Sequence, residues 1–84
     1  MQLPTIHING TPASHLLEDS MRVSASLRQA IRDLENAGPN ERDYYVQGCG
    51  AFRTAQREHQ ARIDALVAVR REIEAISEHV ADFV

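Results

Sequence analysis

Apolar residues recur along this chain at helical spacing in two long stretches, separated by a short segment rich in Gly, Pro and polar residues. In the first stretch Leu16, Val23, Leu27, Ala30 and Leu34 advance by seven, four, three and four, and Leu17 and Ile31 widen the stripe. That is the pattern of an amphipathic helix with coiled-coil-like spacing. Thr11-Pro12 supplies a start signal, with Thr as N-cap and Pro in the first helical position. Ala37-Gly38-Pro39 supplies a stop, Gly38 taking the left-handed cap and Pro39 blocking continuation. The first helix is therefore expected over residues 11–37. Ser20 and Ser24 interrupt its stripe, so close packing or a hydrogen bond is expected there.

In the second stretch Phe52, Ala55, His59, Arg62, Leu66, Val69, Ile73, Ile76, Val80 and Phe83 step by alternating three and four. A seven-residue repeat held this long predicts a helix over 51–83, about two turns longer than the first. Its apolar end, Ile73 to Val84, needs cover from the N-terminal segment, another subunit, or both. Ahead of both helices, Ile6 and Ile8 share one side of an extended segment, and Asn9-Gly10 is a turn signal. Residues 1–10 are expected as an extended arm that either packs across the helices or pairs with its copy. The fold class that follows is all-α: a single domain, an antiparallel two-helix hairpin with a loop at 38–50, oligomerising into a helical bundle.

Self-association enters because of size. Eighty-four residues in two helices leave much apolar surface wet, and small chains usually need a disulfide, a metal or a partner. One cysteine, Cys49, excludes an internal disulfide. His15, His59 and His79 are not at ligand spacing, and no Glu-x-x-His motif is present, so no metal or other cofactor is expected. No glycine-rich phosphate loop and no nucleophile with an orienting base is found, so the chain reads as a non-enzyme.

Net charge is −3, which argues against non-specific DNA binding. No apolar run approaches a membrane span and no secretory leader is seen, so the expectation is a cytoplasmic protein, and the lone thiol agrees. From Arg28 to Arg62 there are six arginines against five acids; the remainder has three against seven. The loop half is the more basic one.

The loop is where binding chemistry concentrates. Pro39-Asn40-Glu41-Arg42-Asp43-Tyr44-Tyr45, closed by Gly48-Cys49-Gly50, spends an Arg, an Asp and both tyrosines in four positions. Rigid rings and a guanidinium suit a recognition surface. They also suit a structural loop, with Arg42 and Asp43 paired and the tyrosines as a lid. On the second helix the seam itself carries His59 and Arg62 near this loop. A charge on a seam must be paired or wet. Either the helix rotates, bringing Ile63 inward and sending Arg62 to water, or a polar pocket forms under the loop. That pocket would be walled by Arg42, Tyr44, Tyr45, His59 and Arg62. Gly48 and Gly50 either serve turn geometry or let a ligand approach backbone N–H groups at the helix start. Glu58–Arg62 and Arg70–Glu74 are candidate i,i+4 pairs, and Glu78-His79 reads as surface.

His7-Ile8-Asn9-Gly10-Thr11, the 39–45 loop with Gly48, and Arg57-Glu58-His59 with Arg62 together resemble a family of small tailed-phage and prophage helical-hairpin proteins. The chain departs from the pattern at Glu41, where Gly is expected, and at Val46, where Pro is frequent. The layout is also similar to the phage anti-CBASS and anti-Thoeris sponges, oligomers that sequester cyclic-nucleotide immune signals. That resemblance implies a non-catalytic anti-defence protein of the host cytosol that forms a homo-oligomer and binds an anionic nucleotide. On the ring- and Arg-bearing loop beside two polar seam residues, Arg42 and Arg62 would contact phosphate, Tyr44 would stack on a base or ribose, and His59 would donate a hydrogen bond. Tyr45 and Gly50 complete the candidate set. The alternatives are an inhibitor or adaptor that blocks a host defence protein, and a virion accessory protein.

Overall fold

The computed structural model describes all residues from Met1 to Val84. Two helices dominate it: α1 (Ala13–Asn36) and α2 (Ala51–Ala81). Their length difference is the expected two turns. Cross-helix bonds join Ser20 to Ser77, Ser24 to Glu74 and Leu34 to His59. Partner numbers fall on one helix as they rise on the other, so the hairpin is antiparallel. It is a rod of 62 × 20 × 16 Å with a radius of gyration of 18.5 Å. A compact domain of this length would have a radius near 12 Å.

The helix ends depart from the sequence expectation in informative ways. Helix α1 begins at Ala13, with Pro12 as N-cap and no side-chain cap. Pro12 keeps a helical φ of −57° but an extended ψ of 144°. Its carbonyl accepts the first bonds, from the N–H groups of His15 at 3.0 Å and Leu16 at 3.2 Å. The extended Pro12 carries Thr11 one residue too far back to act as the cap. At the other end Gly38 does not take a left-handed conformation. Instead the Ala37 N–H is shared between the Asp33 and Leu34 carbonyls, at 3.0 and 3.1 Å. The Leu34 carbonyl also accepts the Nε2–H of His59 from across the hairpin, at 2.6 Å. A tertiary partner thus does the work that a glycine cap does in an isolated helix.

The connector is ordered by two single 3-10 turns, Glu41–Asp43 and Tyr45–Gln47. Gly48 (φ 102°) and Gly50 (φ 90°) then reverse the chain into α2. A side chain at either would meet nothing within 4 Å, so backbone conformation, not crowding, calls for glycine there. Helix α2 ends at Ala81 rather than at Phe83. Its last bonds tighten to the i,i+3 type, Phe83 to Val80 and Val84 to Ala81.

The N-terminal arm forms no strand. The Gly10 N–H bonds the His7 carbonyl in a turn, Ile6 is half-buried, and Ile8 is 97% exposed. The arm is fastened instead by His79, whose Nε2–H donates to the Pro4 carbonyl at 2.8 Å. His79 is therefore half-buried and structural, not a surface residue. Its ring also meets Phe83 edge-on at 5.6 Å. Under this clasp Val80 is wholly buried, so the arm supplies part of the cover that the end of α2 requires.

Between the helices the buried line of α1 is Ala13, Ser20, Ser24 and Ile31. Ile63 of α2 is buried and Arg62 is exposed, so the helix takes the rotated arrangement. The expected seam of Leu66, Val69, Ile73 and Ile76 is turned aside by the same rotation, and Arg70, Glu74 and Ser77 come to the contact. The two serines become a small polar chain. Ser77 donates to the Ser20 hydroxyl at 2.7 Å, and Ser20 donates on to the Leu17 carbonyl at 3.1 Å. Ser24 donates to Glu74 at 3.4 Å. Glu74 also faces Arg70 at 3.5 Å and Arg28 at 3.9 Å. The Arg70 Nε is buried and has no good hydrogen bond, only this long ionic contact. The other expected pair, Glu58–Arg62, does not form, nor does Arg42–Asp43.

Candidate functional site

The loop end of the hairpin holds a cleft of about 290 Å³, lined by Ala37, Pro39, Tyr44, Ala55, Glu58, His59 and Arg62. Its floor is where α1 stops and its wall is the second and third turns of α2. Ala37 and Ala55 are small enough to leave it open. Tyr44 closes it from the loop: the ring is half-buried and tilted 41° against Phe52, centroids 6.3 Å apart. The first 3-10 turn fixes that position, since the Tyr44 N–H bonds the Glu41 carbonyl at 3.0 Å.

Of the six residues singled out in the sequence, Tyr44, His59 and Arg62 meet here. The other three do not. Arg42 is exposed outside the lining, and Tyr45 is 70% exposed at the loop tip beside Val46, itself 74% exposed. Gly50 belongs to a separate recess of about 280 Å³ with Glu41, Cys49, Phe52 and Arg53. The 3-10 turns cause the split. They rotate successive loop side chains by about a third of a turn each, so neighbours in sequence point to different sides.

The chemistry of the cleft is mixed. Arg62 is exposed and makes no ion pair or hydrogen bond within the chain, so its guanidinium is free to bind. Glu58 stands in the same lining and contributes a carboxylate. His59 has already committed its Nε2–H to the Leu34 carbonyl. A carbonyl only accepts, so that ring nitrogen carries the proton. Only Nδ1 is then left for an outside molecule, as an acceptor in the neutral ring and a donor in the protonated one. Its main task is to lock the cleft wall to the end of α1.

A third groove, of about 230 Å³, lies on the other flank between Met21, Ser24, Arg28, Glu74, Ser77 and Glu78. Sequence reasoning found Ser24 and the Arg70–Glu74 pair but not their meeting with Arg28, because it left the rotation of α2 open between Arg62 and Ile63. Ile63, one residue beyond Arg62, was the signal for the true inward face. No cluster of three or more His, Cys, Asp or Glu gathers at metal-binding distance. No helix is long and apolar enough to cross a membrane.

No protein-family model matches the chain, and no similar curated protein or solved structure was found.

Proposed function

We propose that this chain is a non-enzymatic, phage-type binding protein that works as an assembly of its own copies and sequesters a small anionic nucleotide of the kind used as a host immune signal. The observation that carries the reading is the unpaired Arg62 guanidinium beside the half-buried Tyr44 ring in one cleft. Arg62 contacts phosphate and Tyr44 offers an aromatic face for a base or ribose. Glu58 accepts from ribose hydroxyls or a base amine. At about 290 Å³ the cleft suits one nucleotide unit, because pockets for drug-sized ligands begin near 300 Å³. Arg42 and Tyr45, which the sequence also nominates, lie outside it and serve only if the loop rearranges.

Calorimetry with a panel of cyclic di- and trinucleotides and cyclic ADP-ribose isomers tests the proposal. Binding by at least one is expected, weakened roughly 10- to 100-fold by Arg62→Gln, the loss of one charge-assisted bond. Absence of heat from every member, with the helical fold intact by circular dichroism, overturns it.

A second reading rests on the loop tip. Tyr45 and Val46 present adjacent, largely exposed apolar side chains, as an inhibitor or adaptor would to a protein of the host defence. It predicts stoichiometric capture of one protein from host lysate, abolished by Tyr45→Ser with Val46→Ser. Capture that survives both changes counts against it.

A further inference from the structure

The two helices do not meet along the centres of their apolar stripes. In α1 the contact runs through Ala13, Ser20, Ser24 and Ile31. The stripe centred on Val23 and Leu27 lies roughly a fifth of a turn to one side. In α2 the contact runs through His59, Ile63, Arg70 and Ser77, and the stripe centred on Val69 and Ile73 is displaced by a similar angle. Antiparallel helices wind in opposite senses when viewed from one end, so both displacements fall on the same side of the hairpin. The opposite side is the polar one, where Arg28, Glu74 and Glu78 line their groove. One long face is therefore apolar. Val23 and Val69, at its middle, are 45% and 43% exposed.

The surface area says how much cover is missing. The chain exposes 6279 Å², against roughly 5,000 Å² for a compact monomer of its mass. The surplus of about 1,300 Å² exceeds the ~800 Å² that each partner buries in a standard interface. Length and spacing say what the cover is. The stripe from Leu16 to Leu34 runs about 27 Å along the 62 Å molecule, a length that a second rod of the same kind matches. The steps of three, four and seven on both helices are those that like helices interdigitate. The N-terminal arm covers only the Val80 end of the α2 stripe, where His79 fastens it.

We propose that a second copy of this chain docks on the face formed by Leu16, Val23, Leu27, Leu66, Val69 and Ile73, making a two-fold four-helix bundle. This rests on the reading above, in which copies assemble, and names the surface by which they do so. Arg62 lies one helical turn beyond Leu66 on the same side, so the candidate cleft sits at the rim of the docked face.

Sedimentation equilibrium over micromolar concentrations tests it. The expected mass is twice that of the 9.4 kDa chain. Val69→Glu is expected to weaken the pairing at least tenfold, while Met21→Glu on the polar side leaves it unchanged. Val23→Glu serves the same purpose if Val69→Glu unfolds. A wild-type chain of single mass with full helix content overturns the proposal. So does an assembly that Val69→Glu and Val23→Glu do not weaken, or that Met21→Glu weakens equally. Calorimetry on the same samples separates the two claims: a monomer that binds nucleotide defeats the face alone, and a pair that binds none defeats the cleft alone.

Discussion

The two ends of this hairpin are built on different principles. At the open end, Ala13, Ser20, Ser24 and Val80 are buried, the serines hand hydrogen bonds across the seam, and His79 ties the arm down. At the loop end, no residue from Arg32 to Arg62 is buried. That end is held by backbone geometry, by the Tyr44–Phe52 ring contact and by one histidine. The contrast teaches where a thin rod keeps its rigidity and where it can hold an open cleft: Ala37 and Ala55 leave space at the end that sheds core volume, and nothing packs over Arg62. The same two-helix frame thus has a packed base and an unfilled tip.

The most damaging change should fall at the packed base. Val80→Ala removes two methylenes from a fully enclosed site and is expected to destabilise by about 2 kcal/mol, read from urea unfolding. Similar damage from Phe52→Ala, which is only half-buried at the tip, would erase the contrast.

Next come the turn glycines. Gly50→Ala forces a side chain to φ near 90° and should cost about 1–2 kcal/mol, with no clash to relieve. A neutral result would mean that the tip is too loosely held for its backbone angles to matter.

The two histidines form a matched pair, each donating Nε2–H to a backbone carbonyl. His59→Ala and His79→Ala should each lose about 1 kcal/mol. Hydrogen exchange should tell them apart: the first exposes the last turn of α1, the second releases residues around Pro4 and leaves α1 protected. Equal exchange patterns would show that the ends are not independent.

The smallest effect is expected at Arg62. Arg62→Gln should change stability by no more than about 0.5 kcal/mol, since the side chain is exposed and unpaired. A larger loss would assign Arg62 to the scaffold rather than to the cleft.

Much of the fold was legible because helices announce themselves locally. The three-four spacing on either side of Gly38-Pro39 located both helices to within two residues at each end. Ser20 and Ser24 announced a polar contact because they broke an apolar stripe. The rotation of α2 was not legible, since Arg62 and Ile63 offer neighbouring faces and periodicity alone ranks them equally. Nor was the clasp between His79 and Pro4, which joins residues at opposite ends of the chain. For the cleft, the sequence nominated Tyr44, His59 and Arg62 correctly as neighbours, and nominated Arg42, Tyr45 and Gly50 with them. Proximity along a loop is no guide to direction once 3-10 turns fan its side chains apart.

What the sequence determined by itself is the pair of helices, the place where they reverse, and the shortage of apolar partners for so long a rod. Those follow from spacing, propensity and size, which are properties of residues near one another. Tertiary packing decided which stripe each helix turns inward, which carbonyl each histidine takes, and therefore which side is left apolar. Small rotations of a helix exchange one row of side chains for the next, and only the opposing helix distinguishes between them.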